Sequence, residues 1–227
     1  MHQALNCGVE IARVSQIHKS SHLKDKTLLS FKMETLYPKF QQVIHKYKKH
    51  PNVEIEFRLG KVNRGSFDTN VGEDMYKKVM EGLMMYKGWE KVKVSHDQIF
   101  YGEGGRRAVS NEDTDEVVRV IKTKLIKVDH ICEGRPLDVR LGISTEVPCE
   151  PEEDEVYTES KQRTRYSFIR KNLSIDVSMI KGTPDDPDCD EDTQYQIELE
   201  IIDPSKVTDD NVLYPLVNKV FDLMNVA

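Results

Sequence analysis

Eight successive residues, Val53-Glu54-Ile55-Glu56-Phe57-Arg58-Leu59-Gly60, alternate apolar and charged side chains almost without interruption. A β-strand sends successive side chains to opposite faces, so Glu54, Glu56 and Arg58 share one face while Val53, Ile55, Phe57 and Leu59 share the other. The apolar face requires a core. Two carboxylates about 6–7 Å apart along a strand repel unless a cation or a basic group lies between them. The pattern returns near the far end of the chain in Gln194-Tyr195-Gln196-Ile197-Glu198-Leu199-Glu200-Ile201-Ile202. If these strands face one another, four carboxylates converge, and the outline is that of a divalent-metal site.

The 227 residues can bury one good core and predict a single domain over 23–227, preceded by an N-terminal arm over 1–22 in which no period is evident. The net charge of -6 speaks against a generic nucleic-acid coat, although a basic interior would be hidden in that sum. Cys7, Cys132, Cys149 and Cys189 show no paired spacing, which excludes a sequence-signalled zinc cluster or redox motif and predicts free thiols. No run approaches the ~18 apolar residues of a membrane span, and the N-terminus has no apolar signal core. The expectation is an intracellular protein with no membrane partner.

Apolar residues near helical spacing over 23–48 predict two short helices separated at Pro38. Residues 73–87 read as a helix closed by Gly88, and 208–225 as an amphipathic helix regular only from near Leu213 because of Pro215. Between them, strands are predicted over 90–95, 97–102, 105–110, 116–128, 137–148, 161–170, 173–180 and 194–202. The acidic stretches 149–160 and 183–193 lack the spacing of a calcium loop and read as solvated connections.

Several of these strands repeat the design of the first. Lys122 and Lys124 share a face, as do Asp138, Arg140, Ser144 and Glu146; Lys161, Arg163, Arg165 and Ser167; and Ser174, Asp176 and Ser178. A single such strand is ordinary in an antiparallel sheet with one wet face. Together, acidic strands stand at the ends of the series with basic ones between. Closing the sheet sets opposite charges across a lumen, with the helices outside. The predicted fold is therefore α+β, mainly β: a closed antiparallel barrel of about eight strands forming a polar tunnel. Charges withdrawn from water cost several kcal/mol each unless paired or ligated. A polyanion together with a divalent cation would balance both signs.

The chain resembles the triphosphate tunnel metalloenzymes, and among them the metal-dependent RNA 5'-triphosphatases of fungal and viral mRNA capping. "EIEFRLG" is similar to the first glutamate motif of that family and "IELEI" to its last. Between them "DVRLGISTEVP", "RTRYS" and "SIDVS" are similar to the middle strands of the capping branch, in the same order, over about residues 50–203. The resemblance implies that Glu54, Glu56 and Glu200 ligate Mn2+ or Mg2+, with Glu198 a further ligand or a support. Glu146 would orient or deprotonate the attacking water, and Asp176 would act as an acid behind the metal or a water. Arg163 and Arg165, with Lys161, would hold the β- and γ-phosphates. Arg58, Lys122 and Lys124 would add substrate contacts, and Arg106 or Arg107 a further one. Gln196 stands where capping relatives can carry a third glutamate, and neither the first fifty residues nor the acidic connections align.

The activity so implied is removal of the γ-phosphate from 5'-triphosphorylated RNA, leaving a 5'-diphosphate end, with manganese-dependent hydrolysis of nucleoside triphosphates as a side activity. Alternatives are a tunnel enzyme for tripolyphosphate, thiamine triphosphate or ATP, or a triphosphate-binding module without turnover. No K-x-D-G motif occurs in the sequence, so a guanylyltransferase is expected in trans or on a portion of chain not present here. The implied location is the nucleus, or a cytoplasmic virus factory or virion for a viral protein.

Overall fold

A computed structural model describes residues 36–152, 155–182 and 193–226. The chain divides into two compact units, residues 1–39 and 40–227. A first helix, α1, occupies the described residues 36–47. Nine strands follow: β1 (Val53–Asn63), β2 (Ser66–Asp68), β3 (Lys91–Gly102), β4 (Arg106–Asn111), β5 (Val117–His130), β6 (Asp138–Pro148), β7 (Tyr157–Arg170), β8 (Leu173–Gly182) and β9 (Gln194–Ile201). Helix α2 (Glu73–Met85) lies between β2 and β3, and α3 (Asp210–Val226) ends the described chain.

Eight strands close on themselves in the order β1-β6-β5-β4-β3-β7-β8-β9, because β9 also pairs with β1, while β2 hairpins onto β1 from outside. Every ladder is antiparallel. The predicted mainly-β closed barrel with outer helices is the observed fold. Arg64 and Gly65, both with positive φ (47° and 84°), make the two-residue turn from β1 to β2, the geometry that matches strand twist.

The faces are inverted relative to most small barrels. Outward residues Ile55, Phe57 and Leu59 of β1, Val139 and Leu141 of β6, and Ile197, Leu199 and Ile201 of β9 are buried. So are Val217, Val220 and Phe221 of α3, and Phe40 of α1 stacks 5.7 Å from Phe57. Phe40, Ile44 and Lys48 recur at i, i+4 and i+8, and the Lys48 amine reaches the Val207 carbonyl and, at 3.0 Å, that of Thr208. The apolar core is thus external to the barrel, leaving the inward faces polar. On the far wall, Val92, Val94 and Val118 are exposed.

Several local readings are corrected. Pro38 lies inside the single helical stretch 36–47 and does not separate two helices there; residues 23–35 and the arm lie outside the described residues. A proline removes only its own N–H, and the buried stripe runs on past it. Helix α2 does not close on a left-handed glycine: Tyr86 is extended, and the Trp89 indole N–H donates to the Leu83 carbonyl at 2.8 Å, satisfying an end carbonyl with a side chain. Helix α3 starts at Asp210, before Pro215, because the Asp209 carboxylate accepts from the Asn211 N–H at 2.8 Å and caps it. The predicted strands 90–95 and 97–102 are one, since His96 continues the ladder opposite Thr164. The connection after β6 is not simply solvated: Glu155 is largely buried between Arg106 (3.9 Å) and Arg119 (3.8 Å). Positions 183–192 of the second acidic stretch lie outside the described residues. Cys132 and Cys149 are not in disulfides, and no helix among the described residues is long and apolar enough to cross a membrane.

Candidate active site

The lumen holds a cavity of about 370 Å³ lined by eight Arg or Lys side chains and five Asp or Glu. Its wall therefore carries an excess of three positive charges (8 − 5) inside a chain whose net charge is -6. The period-two alternation causes this: Glu54, Glu56 and Arg58 of β1, Lys122 and Lys124 of β5, Lys161, Arg163 and Arg165 of β7, Asp176 of β8 and Glu198 and Glu200 of β9 all line it. Arg106 and Arg107 join from β4. Glu146 reaches the same place through Lys122, whose amine lies 2.9 Å from its carboxylate, and stands 3.8 Å from Arg107.

Pairing registers explain which charges meet. Asp176 lies directly opposite Glu198 across the β8–β9 ladder, a like-charge juxtaposition that destabilises a sheet. Arg165 resolves it, with one nitrogen 3.2 Å from Asp176 and another 3.3 Å from Glu198. Arg58 adds a second partner at 3.0 Å from Glu198 and donates twice to Glu56, at 2.9 and 3.2 Å. Burial works against ionisation of Glu198, yet Arg58 and Arg165 overcome it and hold the carboxyl well below the usual range.

A second like-charge pair is not resolved in this way. Glu56 lies directly opposite Glu200 across the β1–β9 ladder, with Glu54 two residues along. Glu54 is taken by Lys122 and by the Ser144 hydroxyl at 2.7 Å, and Glu56 by Arg58. Glu200 makes no hydrogen bond or ion pair among the described residues. Burial, then Glu54 and Asp176, push its carboxyl up to about 7, and burial with Glu198 raises Glu56. With the side chains so disposed, no three carboxylate, thiol or imidazole groups among the described residues close into a ligand cluster. The donor set nonetheless fits a hard divalent cation: carboxylate oxygens on adjacent strands, in local excess and without a basic group on Glu200. In the metal-free protein, Glu200→Gln is expected to raise the melting temperature by about 2–4 °C, equivalent to ~1 kcal/mol in a domain of this size. A lower melting temperature would mean that this charge is compensated.

Sequence reading missed one member of the site. Asp97 of β3 faces Arg163 directly across the β3–β7 ladder and accepts from its Nε at 3.1 Å and its Nη2 at 2.6 Å. The two side chains are 6% and 8% exposed. Ser95 and Asn111 donate to the same carboxylate at 3.0 and 3.1 Å. The signal was parity with Ile99 and Tyr101 in the predicted strand 97–102, both on the lumen wall, but neither carries a charge that marks this face as the inner one. Lys161 pairs with Glu159 at 2.8 Å, and the Gln196 amide donates to Thr69 at 3.2 Å.

A profile of the protein family described as "mRNA capping enzyme, beta chain" matches residues 92–212. The mRNA-capping enzyme subunit beta of Cryptococcus neoformans is 26% identical over 112 residues, which are 48% of this chain and 28% of that protein, so the match spans well under a third of the relative. In fold, the chain is similar to the Schizosaccharomyces pombe Pct1 RNA triphosphatase, with a TM-score of 0.64 at 18% identity, covering 82% of this chain and 89% of the other. It is also similar to the RNA triphosphatase domain of the mimivirus capping enzyme, with a TM-score of 0.61 at 18% identity, covering 84% and 96%.

Proposed function

This chain belongs to the family of the mRNA capping enzyme beta chain, and from that premise we propose that it hydrolyses the γ-phosphate of 5'-triphosphorylated RNA. The products are a 5'-diphosphate end and orthophosphate. The observation that carries the reading is the net-positive lumen holding one facing pair of carboxylates that no arginine bridges. A triphosphate satisfies the basic wall. A hard cation on Glu54, Glu56 and Glu200, supported by Glu198, satisfies the rest.

Phosphoanhydride hydrolysis chiefly requires in-line placement of water and stabilisation of charge on the phosphoryl oxygens. Arg165, clamped by two carboxylates, presents a fixed guanidinium to the lumen, and Arg163 is fixed in the same way by Asp97. Planar forks held in place match phosphate oxygens without reorganising. Lys122 and Arg58 neutralise further phosphate charge, Lys124 and Lys161 guide the entering triphosphate, and Arg106 or Arg107 adds a contact. In this reading Glu146, paired with Lys122, orients the attacking water and takes its proton, with Asp176, paired with Arg165, as the supporting acid; the ion pairs support the assignment. A bound divalent cation, Mn2+ or Mg2+, supplies Lewis-acid stabilisation of the phosphoryl oxygens. Nucleoside triphosphates share the recognised group and are slower substrates with manganese. The next capping step falls to a guanylyltransferase in trans or on further chain, in the nucleus or in a viral factory or virion.

The test is release of label from γ-labelled triphosphate RNA after chelation and after return of Mn2+ or Mg2+, beside tripolyphosphate. Metal-dependent release that favours RNA is expected, and Glu54→Ala abolishes it. Preference for tripolyphosphate would move the protein to small triphosphates; binding of triphosphate without release would make it a binding module.

A further inference from the structure

The lumen has a side chamber. A cavity of about 120 Å³ lies among β1, β5 and β6, sharing Glu56, Arg58, Lys122 and Lys124 with the main one and adding Lys127, Arg140 and Gly142. An irregularity in β5 builds it. Lys124 pairs with Ser144 and Ile126 with Ile143, so Leu125 is an extra residue in the ladder. Without it, strict alternation from Lys122 and Lys124 would send Lys127 outward. The bulge sets Lys127 opposite Gly142 and Asp129 opposite Arg140, in line with Ser144 on the inner face. A Cβ on Gly142 would stand 3.2 Å from a carboxylate oxygen of Glu56, so glycine keeps the floor open.

The charges lining this chamber are predominantly positive, five Arg or Lys side chains against the single carboxylate of Glu56. Arg140 is held by Asp129 at 2.6 and 2.9 Å, and Arg58 by Glu56 and Glu198. Lys124 and Lys127 form no hydrogen bond or ion pair among the described residues. Burial, then Lys124, Arg140 and Arg58, lower the pKa of the exposed Lys127 amine against the opposing pull of Asp129, so the surrounding positive charge prevails there. The chamber's volume is about four times the ~30 Å³ that a water occupies in the liquid. It falls below the ~300 Å³ at which sites for nucleotide-sized molecules begin.

We infer that this chamber is a site for orthophosphate, the second product of the proposed hydrolysis, bound between Lys124, Lys127 and Arg140. The assignment of the anion as a product rests on that hydrolytic reading. When water attacks the γ-phosphorus and the bond to the β–γ bridging oxygen breaks, the released phosphate touches a wall that the chamber shares. It can then leave the reacting position while the diphosphate end still occupies the main lumen.

The test uses inorganic phosphate in calorimetric titrations of the wild-type chain, Lys127→Ala, Lys127→Glu and Lys127→Arg, with tungstate as a heavy tetrahedral stand-in in crystals. Wild type is expected to bind tungstate between Lys124, Lys127 and Arg140. Lys127→Ala should weaken phosphate binding at this site about tenfold, Lys127→Glu should lose it, and Lys127→Arg should keep it. Each variant is checked for wild-type melting, and Lys127→Ala stands in should Lys127→Glu fail to fold. Tungstate confined to the main lumen, or unchanged phosphate affinity in both Lys127→Ala and Lys127→Glu, would overturn the site. So would a loss restricted to binding of a triphosphorylated dinucleotide, which would assign the chamber to an RNA phosphodiester. None of these readouts needs turnover: γ-phosphate release intact with the chamber empty sinks this inference alone, and anion in the chamber without release sinks the hydrolytic reading alone.

Discussion

Arg165→Ala is expected to lower the rate of γ-phosphate release by about 10³-fold or more, the range associated with losing an arginine aimed at a phosphoryl group. Arg165 is the bridge between Asp176 and Glu198, so its removal also leaves two facing carboxylates unneutralised. The loss thus has two origins. Arg165→Lys separates them, since it keeps the charge between the carboxylates but not the planar fork that fits phosphate oxygens. A lysine variant with wild-type melting and a rate still reduced about 10²-fold or more would assign the effect to phosphate contact. Wild-type turnover in Arg165→Ala, from protein shown to be folded, would remove this residue from the mechanism.

The second large effect is on stability. Asp97→Ala is expected to cost about 3–5 kcal/mol in chemical denaturation, because it strands the Arg163 guanidinium, 8% exposed, without its partner. Burial opposes ionisation of Asp97, but the hydrogen bonds and charge of Arg163 outweigh it and hold the carboxyl below its ordinary value. The sign follows from linkage: the unfolded chain protonates this group first as pH falls. The stabilisation is complete above about pH 4 and declines as pH falls through the lowered folded value. Asp97→Asn keeps the shape and loses the charge, and should sit between wild type and alanine. Wild-type stability in Asp97→Ala would show that Arg163 finds another partner, with Glu198, whose carboxyl already feels its charge, as the one to examine.

Much of this arrangement was legible because strand parity is a local property. Val53–Gly60 and Gln194–Ile202 announce their inner faces without reference to any other residue, and the registers Glu56 to Glu200 and Arg58 to Glu198 bear out the guess that the two strands meet. Parity fails where the ladder does. Nothing in Lys124-Leu125-Ile126-Lys127 distinguishes a bulge from a continuous strand, so Lys127 and Asp129 were assigned to no site. Asp97 was missed for a different reason: it shares its face with Ile99 and Tyr101, which carry no charge, so the predicted strand 97–102 shows no charged inner face. The start of α3 was misjudged because Pro215 was given more weight than the ordinary cap Asp209, and the end of α2 because an unusual side chain does the capping. Trp89, reaching back to Leu83, has no pattern that helix-end rules would detect. The carboxylate cluster was anticipated as a set of ligands, whereas the structure shows most of its members in the grip of neighbouring cations, a matter of rotamers that alternation cannot reveal.

The placement of the apolar core outside the barrel has a consequence for how such a protein can change over generations. On β1, β6 and β9 the residues that hold the fold together and those that face the lumen occupy odd and even positions of the same strands, so the two sets mutate nearly independently. Exchanging an inner arginine or glutamate alters what the tunnel recognises and leaves the hydrophobic seam with α3 untouched. Drift on the outer face, where one aliphatic side chain replaces another, leaves the chemistry alone. Barrels of this construction are therefore free to diverge to 18% identity while keeping their shape. The inner residues act as a lining whose charge pairs change together, in a casing that the outer residues of the same strands support.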